Sequence, residues 1–239
     1  MEPATGQEDE RISGTDNGES GENGCHSRSP ITEPDVQASL SLPGEIYLVL
    51  MPRVLFPQTF MALNILEPRY ERMVKACLAD QQGIGILFQP DGIAANAPEE
   101  QLKALPGCIG TYGMISDWYP QPDNTLTLNL DGFRRFKIGH ATQADDGLVS
   151  AQVEWLPEED ACEISNEHQH LVALLQEITR HPLVKACDCR FNLQDARSVS
   201  LNLSHLLPLP DADKQTLLEC SDASKRLTTL SYMLSVKGR

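Results

Sequence analysis

Histidine and cysteine are the side chains from which a metal site or a nucleophilic site would most readily be built. Cys187 and Cys189 are separated by one residue and follow His181, but structural zinc usually draws on two well-spaced cysteine pairs. No second pair lies nearby, so we expect idle or buried thiols and predict no metal ligand. His168 and His170 stand two residues apart, which on a helix points them in different directions and argues against a joint ligand pair.

Motifs that activate a nucleophile or hold a phosphate group are absent from the sequence. It contains no G-x-S-x-G, no H-E-x-x-H and no phosphate-binding G-x-x-x-x-G-K-[ST]. We therefore predict that the chain is not an enzyme and has no catalytic residue and no cofactor. An enzyme of unassigned type with a small-molecule pocket stays open as an alternative. That alternative requires a cleft in which a histidine or cysteine meets a carboxylate within hydrogen-bond reach.

Two pairs of side chains are better suited to contact a partner than to perform chemistry. Trp118 and Tyr119 precede Pro120 in a predicted exposed turn, and aromatic side chains on loops often anchor partners. Covering the end of the folded body is the other interpretation of these two rings. Arg134 and Arg135 follow a predicted strand, where a sheet edge can recruit an extended peptide; the alternative is a pair of solvated arginines at the strand end.

Glu67 and Arg69, on either side of Pro68, form a third candidate pair. They either present a charged clamp to a peptide or form an ion pair that pins the start of a helix to the body of the protein. The predicted peptide-binding candidates are therefore Trp118, Tyr119, Arg134, Arg135, Glu67 and Arg69.

The elements that must position these candidates are short strands from residue 45 to residue 155. Residues 125–131, for example, alternate apolar and polar side chains, as a half-buried strand does. The predicted strands cover residues 46–51, 84–89, 107–118, 125–131 and 149–155, with a long polar loop over residues 90–106. One helix begins at Pro68 and has a single apolar stripe, formed by Tyr70, Met73, Val74, Cys77 and Leu78. Short strands with one embedded helix indicate a small, partly closed barrel.

After Pro157 the apolar spacing becomes helical. The predicted helices run from about residue 164 to 181, from about 193 to 207, from near Asp211, and from a cap at Ser221 or Asp222. The predicted fold class is α+β: a small β-barrel subdomain with one embedded helix over residues 42–157, followed by a helical bundle over residues 158–239.

Composition sets the N-terminal segment apart and limits the partners. Residues 1–41 hold nine acidic residues against two arginines and few aliphatic side chains, so we predict a disordered acidic tail there. The formal net charge of the chain is −15, which disfavours binding to phosphate backbones, and no nucleic-acid partner is expected.

The remaining composition points to a soluble, cytoplasmic protein with no membrane partner. No apolar stretch approaches the roughly 18 residues of a membrane helix, and the N-terminus lacks a basic start followed by an apolar run. Seven scattered cysteines, an odd number, are typical of reduced thiols. The oligomeric state is not predicted.

Several separated segments resemble one known family. Residues 54–78, VLFPQTFMALNILEPRYERMVKACL, are similar to the signature of the Lon protease N-terminal domain family: an apolar strand, Phe-Pro, a second strand and a Glu-Pro-Arg-Tyr helix start. The G-x-x-G strand at residues 107–111, the G-x-x-R-F segment at residues 132–136 and the helical end at residues 206–230 follow in the family's order. Gln58 departs from the pattern because it stands where glycine is common.

This resemblance implies a PUA-like barrel followed by helices, which in full-length proteases engages substrate polypeptides before unfolding. Because no ATP-binding loop is present, we expect a stand-alone relative that lacks the ATPase and protease domains. The predicted function is that of a non-catalytic module in protein quality control, which binds unfolded or extended polypeptide or a protein partner. RNA binding, by analogy with other PUA-like barrels, is a further alternative and predicts a positive surface patch.

Overall fold

The computed structural model describes residues 42–90, 99–123, 125–181 and 191–237. They belong to one compact unit, Leu42–Arg239. The predicted tail over residues 1–41 and the Cys187 and Cys189 pair lie outside the described residues. Within the described part of the chain, no helix combines the length and the apolar character needed to cross a bilayer.

Five strands close into a ring, and a sixth extends it. In chain order the strands are β1 (Glu45–Met51), β2 (Phe60–Ile65), β3 (Ile84–Phe88), β4 (Ile109–Pro120), β5 (Leu126–Gln143) and β6 (Val149–Trp155). The strand order is β2-β5-β4-β3-β1-β6, and β5 also pairs with β6, which closes the ring. All neighbours are antiparallel except β1 and β3. The predicted partly closed barrel is confirmed.

Strand β5 changes neighbours along one edge, from β2 at residues 126–131 to β6 at residues 136–143. Gly132 lies at the change, where the β1–β2 connection crosses the strand. Its N–H donates to Thr59 O at 2.7 Å, and its carbonyl accepts from Gln58 N–H at 2.8 Å. A Cβ at Gly132 would lie 2.0 Å from Phe56 O, so this crossing requires glycine.

Gln58 takes the conformation that glycine accepts most readily, with a φ of 61°. Its backbone hydrogen bond to Gly132 keeps the turn in place. The departure from the family pattern at this position therefore leaves the crossing intact.

Helix α1 (Pro68–Ala79) packs on the barrel as its stripe predicts. Met73, Val74 and Cys77 are buried together with the inward side chains of β2. Leu78 was predicted to share that stripe, but it is 40% exposed. At about 100° per residue, position 78 is rotated roughly 80° from Tyr70, which moves it to the margin of the buried face.

A short helix, α2 (Glu99–Lys103), lies within the predicted polar loop over residues 90–106, so that prediction is wrong for these residues. Residues 91–98 lie outside the described chain. Acidic residues begin α2, and Lys103 in its last turn pairs with Glu99 at 2.9 Å, which complements the helix dipole. None of its side chains is buried, so hydrophobic periodicity offered no signal.

From residue 166 onward most described residues are helical, as predicted. A 3₁₀ turn (Asn166–His168) leads into α3 (Gln169–Thr179), followed by α4 (Ala196–Leu206), α5 (Asp211–Glu219) and α6 (Ala223–Lys237). Helix α4 begins a few residues later than predicted because the Asp195 side chain caps it, accepting from Arg197 N–H at 3.0 Å. Asp222, one of the two predicted caps, accepts from Lys225 N–H at 3.0 Å at the start of α6.

The β1–β2 connection joins the barrel to the helices. Val54 and Phe56 are buried in the core of the helices, whereas Leu55 between them is buried in the barrel core beside α1. Three consecutive residues therefore enter two apolar clusters, and the helices pack directly on the barrel.

Candidate functional site

Glu67 and Arg69 form an ion pair at the start of α1, which was one of the two interpretations of this pair. Arg69 Nε lies 2.9 Å from Glu67 Oε2, and the buried guanidinium donates through Nη1 to Gly147 O, in the β5–β6 turn, at 2.7 Å. The guanidinium carbon also lies 4.7 Å from the centre of the Tyr70 ring. Arg69 therefore fastens the helix start to the barrel and offers little surface to a ligand.

Arg135 belongs to a buried charge cluster, so its interpretation as a solvated arginine at a strand end is wrong. Its Nη2 lies 3.0 Å from Glu159 Oε1, and the fully buried Arg226 of α6 donates through Nη1 to Glu159 Oε2 at 2.9 Å. We call Arg135, Glu159 and Arg226 the buried clamp. Burial lowers the pKa of Arg135, and the Glu159 carboxylate opposes that shift.

The buried clamp also holds the C-terminal end of α5. Arg135 Nη1 donates to Leu218 O at 2.8 Å and to Cys220 O at 3.0 Å, while Arg226 Nε donates to Leu217 O at 2.9 Å. A helix C-terminus carries partial negative charge, which helps to balance two guanidinium groups against one carboxylate. The clamp therefore ties the barrel to the helices and is a structural feature.

Arg134 is half-buried and donates through Nε to Leu156 O at 2.9 Å. The strand at this point has neighbours on both edges, because Arg134 pairs with Tyr112 of β4 and Arg135 O accepts from Leu156 N–H at 3.1 Å. Among the described residues, no free sheet edge therefore lies beside the two arginines, although the predicted recruitment of a peptide depended on such an edge. These residues lie inside the sheet.

Trp118 and Tyr119 lie in a strand, so the predicted turn at this position is also wrong. Strand β4 continues to Pro120, which pairs with Leu126 of β5, so the chain has not yet reversed at Trp118 and Tyr119. The prediction of exposure holds: Trp118 is 51% exposed and Tyr119 is 46% exposed. These aromatic side chains therefore sit on the projecting end of a β-hairpin.

The register across three strands shows on which face of the sheet each aromatic side chain lies. Trp118 pairs with Leu128, which in turn pairs with Leu63 of β2, and both leucines are buried. Side chains of directly paired residues share a face, so Trp118 continues the core face of the sheet beyond the point where the core is covered. Tyr119 shares the opposite face with Thr127 and Asn64.

Asp117 organises both aromatic residues. One of its carboxylate oxygens, Oδ1, accepts from Trp118 N–H at 2.8 Å, and the other accepts from the Tyr119 hydroxyl. The register of β4 shifts between Ile115 and Asp117, which marks a β-bulge next to the rings. A bulge re-aims the following side chains, and here the carboxylate bonds to the Trp118 backbone and to the Tyr119 side chain.

The projecting end of β4 has a free edge. Strand β3 pairs with β4 at residues 111–113, and over residues 114–120 no strand of the described chain pairs with β4 on the side away from β5. Leu66, which follows the β2 position paired with Leu126, is 73% exposed at the same end. We call residues 114–123 and 125–131, together with Asn64 and Leu66, the hairpin end.

The outer face of the hairpin end is polar. Gln121 Nε2 donates to Thr127 Oγ1 at 3.0 Å, and the Thr127 hydroxyl donates to Asn64 Oδ1 at 2.9 Å. These side chains line an open depression of about 600 Å³ together with Pro122, Asp123 and Thr125. The hairpin end therefore presents amide and hydroxyl groups together with Tyr119 on one face and the Trp118 ring on the other.

His168 serves the helices in a structural role. Its Nδ1 lies 2.9 Å from Ser165 Oγ, and its Nε2 lies 3.2 Å from Thr228 Oγ1 of α6. The Glu167 carboxylate is 3.9 Å from Nε2, beyond hydrogen-bond reach. The buried ring thus joins the 3₁₀ turn to α6.

His170 makes a serine–histidine contact that has the appearance of a catalytic pair. Its Nε2 lies 3.1 Å from Ser231 Oγ, and its Nδ1 lies 2.9 Å from Glu167 O. Acyl transfer also needs free N–H groups to hold the oxyanion. Ser231 lies in the interior of α6, where backbone N–H groups are already bonded within the helix. The described residues around Ser231 on α6 therefore offer no free backbone N–H groups to hold an oxyanion.

The fold is a PUA-like β-barrel followed by helices, with an exposed aromatic strand end. Residues 46–236 match the model of the ATP-dependent protease La (LON) substrate-binding domain. The chain belongs to this family. It is similar to the Lon N-terminal domain protein from Xanthomonas campestris, with 27% identity, a TM-score of 0.63, and coverage of 79% of this chain and 97% of that one.

Similarity extends to further proteins. The N-terminal domain of Mycobacterium avium complex Lon protease is 18% identical, has a TM-score of 0.52 and covers 78% of this chain and 95% of its own, which shows a shared fold. The Lon protease of Dictyoglomus thermophilum is 25% identical over 79% of this chain and 24% of that protein. That of Paraburkholderia phytofirmans is 27% identical over 86% and 26%. The chain thus spans about a quarter of the length of these curated relatives.

Sequence reasoning missed the residues that organise the hairpin end. Asp117 carried a usable signal, since an aspartate directly before two aromatic residues can accept from the backbone N–H that follows it. Leu66 carried one too, because the buried positions of β2 alternate as 61, 63 and 65, which leaves position 66 outside the buried set. Glu159 and Arg226 carried none, because their partners are distant in sequence.

Proposed function

We propose that this chain is a non-catalytic polypeptide-binding module and that the hairpin end is its contact surface. The observation that carries the proposal is the exposure of Trp118 and Tyr119 beside the free edge of β4. Aromatic side chains are enriched among the residues that dominate binding energy. Large exposed apolar side chains grouped at one place are typical of interaction sites.

An extended segment can use both features of this end. The free edge over residues 114–119 offers backbone groups to an added strand, except for Trp118 N–H, which already donates to Asp117 Oδ1, and Pro120, which has no N–H, ends that ladder. Alternate side chains of the added strand would face Trp118 on one side and the polar outer face on the other. Unfolded polypeptides present such segments, whereas most folded proteins do not.

The absence of catalysis is part of the proposal. His170 and Ser231 lack an oxyanion site, His168 is held between two hydroxyl groups, and the printed sequence contains no phosphate-binding loop. We also propose a cytoplasmic location, because the cysteines at positions 77, 108, 162 and 220 are free thiols.

Isothermal titration against a reduced and alkylated model protein tests the function. We expect saturable binding that needs no ATP, and at least tenfold weaker binding for Trp118→Ala, since an aromatic anchor contributes about 2 kcal/mol. Tyr232→Ala is the matched control, because Tyr232 is more exposed than Trp118 but lies on α6. Equal loss in both variants, or no heat with the wild type, would reject the proposal.

A parallel titration with single-stranded RNA tests the remaining alternative. The acidic composition predicts no binding at about 50 mM salt, where electrostatic contacts with phosphates are strongest. Salt-sensitive binding of RNA that survives Trp118→Ala would favour the RNA-binding function over the polypeptide-binding one.

A further inference from the structure

A cationic surface lies where the barrel meets the helices. The β1–β2 connection carries Arg53, the last turn of α4 carries His205, and Lys214 follows near the start of α5. Lys214 Nζ donates to His205 O at 2.9 Å, and the His205 ring packs on the ring of Phe60, with 5.8 Å between the two centroids. Phe60 is half-buried at the start of β2. We call Arg53, His205, Lys214 and Phe60 the basic seam.

Arg53 is anchored through its backbone and open at its side chain. The next residue, Val54, is buried in the core of the helices. The Arg53 side chain is exposed, and its charge acts on both His205 and Lys214. Within the described chain its guanidinium group forms no ion pair and no hydrogen bond. Arg53 is therefore held beside the other two bases with its donors free.

The carboxylates nearest to the basic seam do not pair with its bases. Asp211 attracts Lys214 from the same helix, but no ion pair joins the two side chains. Asp131 lies opposite Phe60 across β2 and β5. Among the described residues, neither carboxylate forms an ion pair with any of the three bases. The seam therefore has donors whose negative partner must come from another molecule.

The charged forms of the bases are disfavoured at this place. Burial, and after it the charges of Lys214 and Arg53, lower the pKa of His205 to about 4. Burial also lowers the pKa of Lys214; attraction to Asp211 opposes that shift, and repulsion from Arg53 adds to it. Neither ring nitrogen of His205 forms a hydrogen bond with a described residue. An anion among these groups would accept from free N–H donors and offset the repulsion between the bases.

We propose that the basic seam binds acidic segments of a partner polypeptide, in which an Asp or Glu residue neighbours an apolar side chain. A carboxylate can accept two parallel hydrogen bonds from the exposed Arg53 guanidinium while Lys214 attracts it. The neighbouring apolar side chain can pack on the Phe60 ring. This contact goes beyond the proposed function, because it uses neither the Trp118 ring nor the free edge of β4.

A peptide suits this surface better than a nucleic acid. A phosphate backbone carries a charge at every nucleotide, and its affinity grows with the number of cations that it engages. The basic seam offers two cations at neutral pH, on a chain with a formal net charge of −15. A peptide can place one or two carboxylates at the seam and neutral residues elsewhere, so it avoids the repulsion that a polyanion would meet.

Two labelled ten-residue peptides test the proposal by fluorescence polarisation. Both have neutral Gly and Ser flanks; one has Glu-Phe-Glu at its centre and the other has Gln-Phe-Gln. With wild-type protein we expect the Glu peptide to bind at least about fivefold tighter in about 50 mM salt, because its carboxylates form charge-assisted bonds. The ratio should fall toward about twofold in about 500 mM salt, because exposed charges are screened.

Variants of the two cations locate the preference on the protein. Arg53→Gln combined with Lys214→Gln should bring the ratio between the two peptides to about twofold or less in about 50 mM salt. Lys75→Gln combined with Arg180→Gln is the matched control, since it removes one exposed lysine and one exposed arginine elsewhere and should leave the ratio unchanged. Circular dichroism verifies that each variant is folded. Arg53→Gln alone removes no hydrogen bond of the fold and should still lower the ratio at least about twofold.

The outcomes separate this proposal from the function of the hairpin end. Trp118→Ala should weaken binding of unfolded protein and leave the preference for the Glu peptide intact. Equal binding of both peptides by the wild type, or binding of neither, would refute the basic seam whatever the titration with unfolded protein shows. The same holds if the control pair lowers the ratio as much as the seam variant does. If single-stranded RNA displaces the Glu peptide from the wild type, the seam serves phosphates and the proposal is overturned.

Discussion

The buried clamp allows the sharpest test of how the barrel and the helices are held together. Replacing Glu159 by Gln removes the only carboxylate within the clamp and puts a neutral amide against Arg135 and Arg226. The side chain of Glu159 is 8% exposed, so water cannot readily take its place. The amide group also directs N–H donors toward guanidinium groups that are themselves donors.

The expected size of the effect follows from the partners that remain. Removing one partner of a buried ion pair typically costs about 3–5 kcal/mol, because the charge left behind is uncompensated. In Glu159→Gln the α5 carbonyls still accept from both arginines, which places our expectation at the lower end, about 3 kcal/mol. For a domain of this size that corresponds to a fall in Tm of roughly 6–12 °C.

Urea unfolding followed by circular dichroism measures this loss. Glu163→Gln is the matched control, since it removes the same charge from an exposed position four residues along the chain and should change the free energy of unfolding by less than about 0.5 kcal/mol. A loss below about 1 kcal/mol in Glu159→Gln would refute the reasoning, because it would mean that helix carbonyls alone compensate two buried guanidinium groups.

Three further perturbations follow from individual contacts. Gly132→Ala should destabilise the protein by more than about 3 kcal/mol in urea unfolding, because its Cβ would meet the Phe56 carbonyl at 2.0 Å; an unchanged midpoint would contradict this crossing. Burial lowers the pKa of His205 to about 4, so the unfolded chain binds the proton more readily and stability should fall as pH decreases from 6.5 to about 4. His205→Asn should flatten that part of the profile, and an identical slope in both proteins would count against the prediction. Burial raises the pKa of Cys77 to about 11, so at pH 8 Cys77 should react with a thiol reagent only at the rate of unfolding. Peptide mapping of the labelled protein measures this rate, and prompt labelling of native protein would disprove the prediction.

The barrel and the helices could be predicted because their signals are local. Alternation over residues 125–131 and 149–155 marks strands with one buried face, and the stripe of α1 marks a helix with one buried face. Caps such as Asp222 are equally local, since the carboxylate and the N–H that it accepts from are three residues apart. The segment resemblance then supplied the order of these elements in space.

The turn predicted at residues 118–120 shows where local signals fail. Proline and exposed aromatic residues are typical of a reversal, but pairing with β5 continues to Pro120 and extends the strand. Only the partner strand decides that outcome, and the local sequence does not reveal its register.

The arginines show a second limit. A two-residue alternation predicts that Arg135 faces solvent, yet it is buried by Glu159 and by helix α5, which lie far along the chain. Its partners become neighbours only after the helices pack. For the same reason Asp117 and Leu66 could not be recognised as site residues from the sequence. Their position follows from strand pairing, because no described strand pairs with β4 over residues 114–120 on the side away from β5.

The β1–β2 connection also has a consequence for how the molecule melts. Because Val54 and Phe56 are anchored among the helices and Leu55 in the barrel, neither half can lose its interior without uncovering apolar surface in the other. We therefore expect a single cooperative transition in calorimetry, with equal van't Hoff and calorimetric enthalpies. A fragment ending near residue 157 would expose Val54 and Phe56 to water and should aggregate, so severing the polypeptide there would not yield an autonomous barrel.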